Sequence, residues 1–161
     1  MKLQFGIARG GMEYAHRAAV FGIAEHNGLI ACVRIVRDRG PYFDLPGGAI
    51  EGQETEAEAL EREFREETGL DVTPVDRLTE ASQYFERTDG VALNNVSAFW
   101  TMRIAGSTPA NKQEADHQLV WLSPEEALKS VRHEAHAWAI TCWMRWRATH
   151  PETVNQEQAK G

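Results

Sequence analysis

Residues 48–70 read GAIEGQETEAEALEREFREETGL, a stretch that decides the fold because it joins a glycine loop to a strongly helical, acidic segment. Thr55, with Glu58 three residues later, is typical of a helix capping box, and Gly69 is typical of a helix C-terminus. The pattern therefore predicts a helix over residues 56–67.

The residues immediately before this stretch also have a distinctive pattern, since residues 44–48 read DLPGG. Proline lacks an N–H and restricts the residue before it, whereas glycine tolerates positive φ and lets the backbone approach a ligand closely. The run predicts a short extended segment that ends in a turn beside the helix.

Three glutamates, Glu63, Glu66 and Glu67, fall on one flank of the predicted helix, next to an apolar stripe that includes Leu60 and Phe64. Like charges three or four residues apart repel by roughly 0.2–0.5 kcal/mol per pair, so this flank is mildly unfavourable unless a cation neutralises it. Hard divalent cations prefer carboxylate oxygens. The spacing indicates a Mg²⁺ site, and the alternative interpretation is a solvated acidic helix face.

The loop and the helix together resemble, position for position, the box of the Nudix hydrolases, enzymes that split a nucleoside diphosphate linked to another group. The matching residues are Gly48, Glu54, Arg62, Glu63, Phe64, Glu66, Glu67, Gly69 and Leu70. The resemblance implies a MutT-like enzyme with an α/β fold of the mixed α+β type. A mixed β-sheet sandwiched between helices, α/β/α, is the implied architecture.

The resemblance also implies a metal site and a reaction. Glu63, Glu66 and Glu67 are the implied metal ligands, and Gly47 is a candidate to add its backbone carbonyl. The implied ion is Mg²⁺, with Mn²⁺ as a substitute. The implied reaction is in-line attack of water on a phosphorus of the diphosphate bridge, with no covalent enzyme intermediate.

Two further roles follow from the resemblance. Arg62 and Glu54 are implied to form an ion pair that orients the loop and the helix, and a direct catalytic contribution is the alternative role for Glu54. One carboxylate must accept a proton from the attacking water, and its pKa would depend on burial and on neighbouring charges. Glu63 is the first candidate for this base and Glu66 the second.

A further acidic residue comes, in many relatives, from the segment before a Trp-hydrophobe pair, which here is Trp121-Leu122. Glu114 and Asp116 precede that pair. Either could complete the metal site or act as the base, and Glu114 is favoured. Simple solvation in a loop is the alternative interpretation.

Tyr84, Phe85 and Arg17 are the candidates for substrate contact. Tyr84 and Phe85 follow the box on a predicted strand, where an aromatic ring could stack on a nucleobase. Adjacent strand residues face opposite sides of a sheet, so at most one of the two would do so, and core packing is the alternative. Arg17 could contact phosphates or sugar, although an ordinary surface charge explains it equally well.

The rest of the chain predicts further strands and a second helix. Strands are predicted over residues 18–24, 29–36, 78–85, 92–104 and 119–122, with a tight turn at Asn27-Gly28 between the first two. Ser123-Pro124 begins the second helix, whose apolar positions keep helical spacing at Leu128, Val131, Ala135, Trp138, Cys142 and Trp146. His133 and His136 on this helix are predicted to be solvated or capping residues rather than zinc ligands.

Length and composition favour a single Nudix hydrolase domain over residues 1–149, followed by a polar, frayed tail over residues 150–161. The hydrophobic fraction of 42% and the charged fraction of 25% are ordinary for a globular protein. A net charge of −7 argues against DNA or RNA as a partner. Because no apolar stretch is long enough to span a bilayer and Met1–Gly6 lacks a signal-peptide core, the sequence predicts no membrane partner and a cytoplasmic location. A homodimer is left open.

The substrate is predicted only by class. Residues 46–48 read Pro-Gly-Gly rather than Pro-Ala-Gly, and no proline occurs over residues 75–108, which weakens ADP-ribose as the substrate. The predicted substrate is therefore a nucleoside triphosphate or a related small nucleotide. Hydrolysis of a nucleotide-sugar, ADP-ribose or a dinucleoside polyphosphate is the enzymatic alternative, and a nucleotide-sensing module without turnover is the alternative outside enzymes.

Overall fold

The computed structural model describes residues 2–37 and 39–151 of the 161. Its strands are β1 Gln4–Phe5, β2 Ala15–His26, β3 Leu29–Ile35, β4 Tyr42–Asp44, β5 Gly47–Ala49, β6 Leu70–Glu86, β7 Ala92–Ser107 and β8 His117–Leu122. Its α-helices are α1 Glu56–Thr68, α2 Pro124–Ser130 and α3 Glu134–Thr149. Residues Pro109–Asn111 form a short 3₁₀ turn.

One mixed sheet contains all eight strands, in the order β1-β6-β7-β2-β3-β4, while β5 pairs with β2 and β8 pairs with β3. β2 is parallel to β7 and antiparallel to β5, and β1 is parallel to β6. The predicted turn between β2 and β3 is confirmed, because Asn27 and Gly28 have φ values of 51° and 79°. Two successive positive φ values are what the favoured two-residue hairpin turn requires.

Helix α1 begins and ends where its sequence signals predict. The Thr55 side chain accepts a hydrogen bond from the Glu58 N–H at 3.1 Å, and the Glu58 carboxylate accepts one from the Thr55 N–H at 2.8 Å. At the other end Gly69 is left-handed, with φ 73°, and its N–H donates to the Arg65 carbonyl. A side chain at position 69 would be strained in that conformation.

The sheet lies between helices, so the predicted mixed α+β sandwich is confirmed. On one face, α1 buries Leu60 and Phe64 against β2 and β7 residues such as Val20 and Met102. On the opposite face, α2 and α3 cover a second apolar cluster that contains Ile23, Phe99, Ala127, Ile140 and Trp143. No helix among the residues described is long and apolar enough to cross a membrane.

The prediction of one continuous second helix is wrong, because the chain breaks between α2 and α3. Val131 is extended, with φ −60° and ψ 133°, and it forms an isolated parallel bridge with Phe43. The Arg132 N–H donates to the Phe43 carbonyl at 2.8 Å. These hydrogen-bonding contacts with β4 replace a helical turn, and α3 then begins after His133.

Four of the predicted strands, β2, β6, β7 and β8, are longer in the structure than their sequence signals indicate. β6 starts at Leu70, directly after the helix, and β7 runs on to Ser107. The pairing of these two strands contains register shifts between Asp71 and Thr79, which accommodate Pro74 within the ladder. Of the predicted polar tail, only His150 and Pro151 belong to the described residues, and the His150 ring stacks on Trp146.

Candidate active site

The glycine loop forms the floor of the site. Gly47 and Gly48 lie on β5, antiparallel to β2, and Gly47 has φ 144°. A side chain at Gly47 would collide with the Val20 carbonyl, and a Cβ at Gly48 would lie 2.6 Å from Oε1 of Glu63. The backbone thus needs glycine at position 47, whereas Gly48 leaves room for the Glu63 carboxylate to lie directly against the loop.

Arg62 connects the loop to the helix through five acceptor oxygens on four residues. It donates from Nε and Nη2 to the two carboxylate oxygens of Glu54, at 2.6 and 3.0 Å, so the predicted ion pair is present. Nη2 also donates to the Ala49 carbonyl at 3.0 Å. Nη1 donates to Glu63 at 2.9 Å and to Glu66 at 3.3 Å. This one guanidinium therefore fixes the orientation of both elements.

The carboxylate of Glu54 is strongly stabilised in its ionised form. Hydrogen bonds from Arg62, and after them one from the Glu51 N–H, lower the pKa of Glu54 to about 2. A carboxyl group with such a low pKa is a poor proton acceptor near neutral pH. The geometry favours the structural role of Glu54 over the catalytic one.

Glu63 and Glu67 form a close carboxylate pair beside the glycine loop. Glu67 is buried, and burial, followed by the charge of Glu63, raises the pKa of Glu67 well above its usual range. A hydrogen bond from the Gly47 N–H opposes that shift without cancelling it. Two adjacent carboxylates, of which Glu67 is buried and costly to ionise, are a donor set that fits a hard divalent cation, which would offset the repulsion between them.

Glu66 takes a different position from its two neighbours. Its carboxylate faces Arg62, and its side chain is outside the cavity that Glu63 and Glu67 line. Its backbone carbonyl accepts hydrogen bonds from the N–H groups of Gln113 and Glu114, at 2.8 and 3.0 Å. Glu66 thereby anchors the loop that carries Glu114 to the end of α1.

Glu114, Asp116 and His117 form a cluster beside the carboxylate pair, with their ligand atoms within 4.8 Å of one another. His117 Nδ1 lies 2.8 Å from Oδ1 of Asp116, and His117 Nε2 lies 3.9 Å from Oε2 of Glu67. Glu114 and His117 line the cavity, whereas Asp116 also pairs with Arg37. Sequence reasoning missed His117, which stands at the start of β8 and carries no local signal beyond its residue type.

The site opens into a cavity of about 630 Å³. Carboxylates of Glu63, Glu67 and Glu114 lie along one side, and the apolar wall includes Phe21 and Val33. Four arginines also line the cavity: Arg17, Arg37, Arg87 and Arg132. A volume of this size accommodates a nucleotide, and the mixture of charges suits a polyanion that is bound together with a cation.

The structure separates the candidates for substrate contact. Phe85 and Arg17 line the cavity, and the Arg17 guanidinium carbon lies 5.8 Å from the centre of the Phe85 ring. Tyr84 does not line it, because its side chain faces the other side of β6 and packs edge-on against Tyr14 at 4.8 Å. Of these two aromatic residues, Phe85 is therefore the one whose position favours substrate contact, in line with the alternation of side chains along the strand, and substrate contact by either residue stays a prediction.

A second group that sequence reasoning missed surrounds Asp44, a buried residue at the end of β4. Oδ2 of Asp44 accepts a hydrogen bond from Arg132 at 2.7 Å, whereas Oδ1 has no hydrogen-bond partner among the described residues. Burial raises the pKa of Asp44 despite the opposing charge of Arg132. An unpaired buried oxygen is costly, and Asp44 lines the cavity, so this oxygen is available to accept a hydrogen bond there.

The two histidines at the start of α3 are buried rather than solvated, which corrects the sequence prediction. Nδ1 of His136 accepts a hydrogen bond from the Leu45 N–H at 3.1 Å. His133 occupies the N-cap position of α3 but makes no side-chain capping bond. Burial lowers the pKa of His133 to about 3 and that of His136 well below its usual value. Both rings are therefore neutral parts of the wall, as Phe85 packing on His133 also indicates.

Comparisons with known proteins agree with this geometry. A sequence model of the NUDIX domain matches residues 14–146. The chain is 30% identical over 134 residues to the CTP pyrophosphohydrolase of Escherichia coli (strain K12). The matched region covers 82% of this chain and 94% of that protein. The chain is also 39% identical over 59 residues to the 8-oxo-dGTP diphosphatase of Proteus vulgaris. That matched region covers 36% of this chain and 53% of that protein.

A solved structure shows the same fold. The NUDIX hydrolase from Nitrosomonas europaea superposes on this chain with a TM-score of 0.69 at 18% sequence identity. The superposition covers 80% of this chain and 88% of the other. The overall fold of this chain is thus one that a solved structure shares.

Proposed function

Because the chain belongs to the NUDIX domain family and is an enzyme of the Nudix hydrolase type, we propose that it hydrolyses a phosphoanhydride bond of a nucleoside triphosphate with the aid of a divalent cation. The two curated relatives are named for CTP and for 8-oxo-dGTP, which are both nucleoside triphosphates. The partner is accordingly a small nucleotide. The cytoplasmic location stays a prediction from the sequence, and a homodimer stays open.

The observation that carries the proposal is the carboxylate pair of Glu63 and Glu67 in the cavity. Ionising both groups side by side is unfavourable in the protein alone, as the raised pKa of Glu67 indicates. Such a pair is retained at a cost in stability, and a bound cation is the simplest compensation.

Glu63, Glu67 and the Gly47 carbonyl are the groups that would hold the cation, with Glu114 at the edge of the same site. Their donor atoms are all oxygens, which fits Mg²⁺ and also Mn²⁺. When bound there, the cation neutralises the diphosphate bridge and makes water a better nucleophile. The side chain of Glu66 lies outside the cavity lining and would have to turn toward the cavity to join this set.

The chain itself supplies orientation and a proton acceptor. Arg62 holds the loop and the helix at a fixed separation, which positions the bridge relative to the attacking water. Glu63 is the proposed general base, because it lines the cavity whereas Glu66 does not. It would take the proton of the water as the oxygen bonds to phosphorus and the anhydride bond to the leaving phosphate breaks.

The test is release of pyrophosphate or phosphate across a panel of substrates, with Mg²⁺ and with chelator. The panel contains CTP, 8-oxo-dGTP and the ordinary nucleoside triphosphates, together with a nucleotide-sugar, ADP-ribose and a dinucleoside polyphosphate. The expected result is Mg²⁺-dependent turnover that is fastest for one or more triphosphates. A Glu63→Gln variant with an unchanged melting temperature is the inactive control.

Two results would overturn the proposal. Turnover confined to the nucleotide-sugar, ADP-ribose or the dinucleoside polyphosphate would move the substrate to a different class within the family. Specific nucleotide binding without turnover, in protein that is folded and supplied with metal, would favour the nucleotide-sensing alternative.

A further inference from the structure

The four arginines that line the cavity differ in how their charges are balanced. Three have a carboxylate partner: Arg37 pairs with Asp116 at 2.9 Å, Arg87 with Asp89 at 2.7 Å and Arg132 with Asp44 at 2.7 Å. Arg17 is the exception, because no carboxylate within the described part of the chain forms an ion pair with it.

Arg17 is held in place by neutral groups. It lies on β2 in parallel register with Asn95 of β7, and its Nε donates to Oδ1 of Asn95 at 2.8 Å. Asn95 is itself buried, with 5% of its surface exposed, and the Phe85 ring lies under the guanidinium. The terminal nitrogens, Nη1 and Nη2, have no hydrogen-bond partner among the residues described, so a planar fork of donors remains available.

The positive charge of Arg17 is destabilised by its partial burial in the cavity wall. Burial, ahead of the charge of Arg87, lowers the pKa of Arg17, and the more favourable interaction with Glu63 is a smaller effect. A half-buried cation without a counter-charge gains strongly from an incoming anion, because less water has to be displaced and the local dielectric is low. Arg17 and Glu63 line the same cavity.

We propose that Arg17, held by Asn95 and Phe85, binds non-bridging oxygens of the substrate's phosphate chain next to the bridge that is cleaved. The inference rests on the proposed function, since it assigns one phosphate group of that substrate to a particular side chain. A guanidinium fork matches two phosphate oxygens, which gives both charge and orientation. Arg17 is a substrate-binding residue, and Asn95 and Phe85 are positioning residues.

The test uses methylenediphosphonate, an analogue of pyrophosphate without base or sugar whose carbon bridge resists hydrolysis. Its binding in the presence of Mg²⁺ is measured by calorimetry for the wild type, Arg17→Gln and Arg34→Gln. Arg34 is a matched control because it also donates to a neutral amide, from Nη1 to Gln118 at 3.1 Å, but lies outside the cavity lining. Melting temperatures establish that each variant is folded.

The expected result is a dissociation constant that rises about tenfold or more for Arg17→Gln and stays within twofold of the wild type for Arg34→Gln. Asn95→Ala is expected to give an intermediate rise, because it frees the guanidinium without removing it. A value for Arg17→Gln within twofold of the wild type would overturn the proposal, as would the absence of any binding by the wild type.

Failure of this inference can be told apart from failure of the proposed function. If Arg17→Gln raises the KM for a nucleoside triphosphate but leaves diphosphonate binding unchanged, Arg17 contacts the base or sugar, and the hydrolase proposal stands without this one. If no nucleotide is hydrolysed while diphosphonate binding still depends on Arg17, the hydrolase proposal falls and the phosphate site remains.

Discussion

Arg62 donates two hydrogen bonds to Glu54, from Nε to Oε1 at 2.6 Å and from Nη2 to Oε2 at 3.0 Å, and so joins the loop after the glycines to the middle of α1. The same guanidinium donates to the Ala49 carbonyl. The side chains of both partners are about four-fifths buried, with 22% of each exposed. The geometry is therefore that of a planar, partly desolvated pair rather than a surface ion pair.

Arg62→Ala is expected to lower both stability and activity. The variant leaves several acceptors without their donor, which we expect to cost about 1–3 kcal/mol in the free energy of unfolding. Turnover should fall at least tenfold, because the loop and helix lose their common anchor. Denaturant unfolding and steady-state kinetics check the two effects.

Arg65→Ala is the control for this prediction. Arg65 lies three residues after Arg62 on the same helix, and its ion pair with Asp71 is long, at 3.5 Å, and lies on the surface. It should change the free energy of unfolding by less than about 0.5 kcal/mol. A loss of turnover in Arg62→Ala at unchanged stability would contradict the structural role and indicate that Arg62 touches substrate.

Replacing each box glutamate with glutamine distinguishes a role in the metal site, which affects turnover, from a role in the fold, which affects stability. Glu63→Gln, Glu66→Gln and Glu67→Gln are each expected to reduce turnover by about 100-fold or more, since Glu63 and Glu67 supply charges that line the cavity and Glu66 is the third metal ligand that the family resemblance implies. Melting temperatures should stay the same or rise slightly, because repulsion along the helix is relieved. Glu67→Gln should give the largest rise, as its carboxyl is buried and costly to ionise.

Glu61→Gln is the matched control, because Glu61 is exposed on the same helix. It should leave turnover within twofold of the wild type. Wild-type turnover in any of the three box variants would remove that glutamate from the site.

The sequence predicted α1 and the β2–β3 hairpin well because both depend on contacts a few residues apart. The capping box is formed by Thr55 and Glu58 alone, and the hairpin turn is set by the positive φ values of Asn27 and Gly28. The break after α2 could not be predicted in the same way, because Val131 leaves the helix only to meet β4. Contacts between residues distant in sequence override a helical pattern of apolar positions.

The candidate site was likewise predicted only where it depends on contacts between residues close in sequence. Spacing within one helix was enough to place Glu63 and Glu67 together, since helical periodicity fixes their relation. His117 and Asp44 were missed because their significance comes from burial beside that pair, which only the folded sheet creates. The orientation of Glu66 toward Arg62 likewise depends on a contact between side chains that a residue pattern does not specify.

The buried histidines predict a loss of stability in mild acid. The pKa of His133 is lowered to about 3 in the folded state by burial and then by the charge of Arg132, so the unfolded chain binds a proton more readily below about pH 6.5. Stability is therefore complete above that pH and is lost as the pH falls toward 3. Each such histidine contributes a slope of up to about 1.4 kcal/mol per pH unit.

Urea unfolding at pH 7 and pH 5, without added metal, measures this slope. His133→Gln should lose less stability between the two pH values than the wild type, whereas His26→Gln, at an exposed position, should lose as much as the wild type. An identical slope in His133→Gln and the wild type would show that His133 is not the group that titrates.

Gly48→Ala tests how closely Glu63 must lie against the loop. The added Cβ would be 2.6 Å from Oε1 of Glu63, the end of a flexible side chain that accepts a hydrogen bond from Arg62, so the carboxylate would move and the backbone would not. Stability should change by less than about 1 kcal/mol, while the Mg²⁺ concentration needed for half-maximal activity should rise at least about tenfold. Gly10→Ala, where a Cβ meets no atom within 4 Å, is the control and should alter neither quantity. An unchanged Mg²⁺ requirement in Gly48→Ala would mean that Glu63 does not hold the cation in the position that the structure gives it.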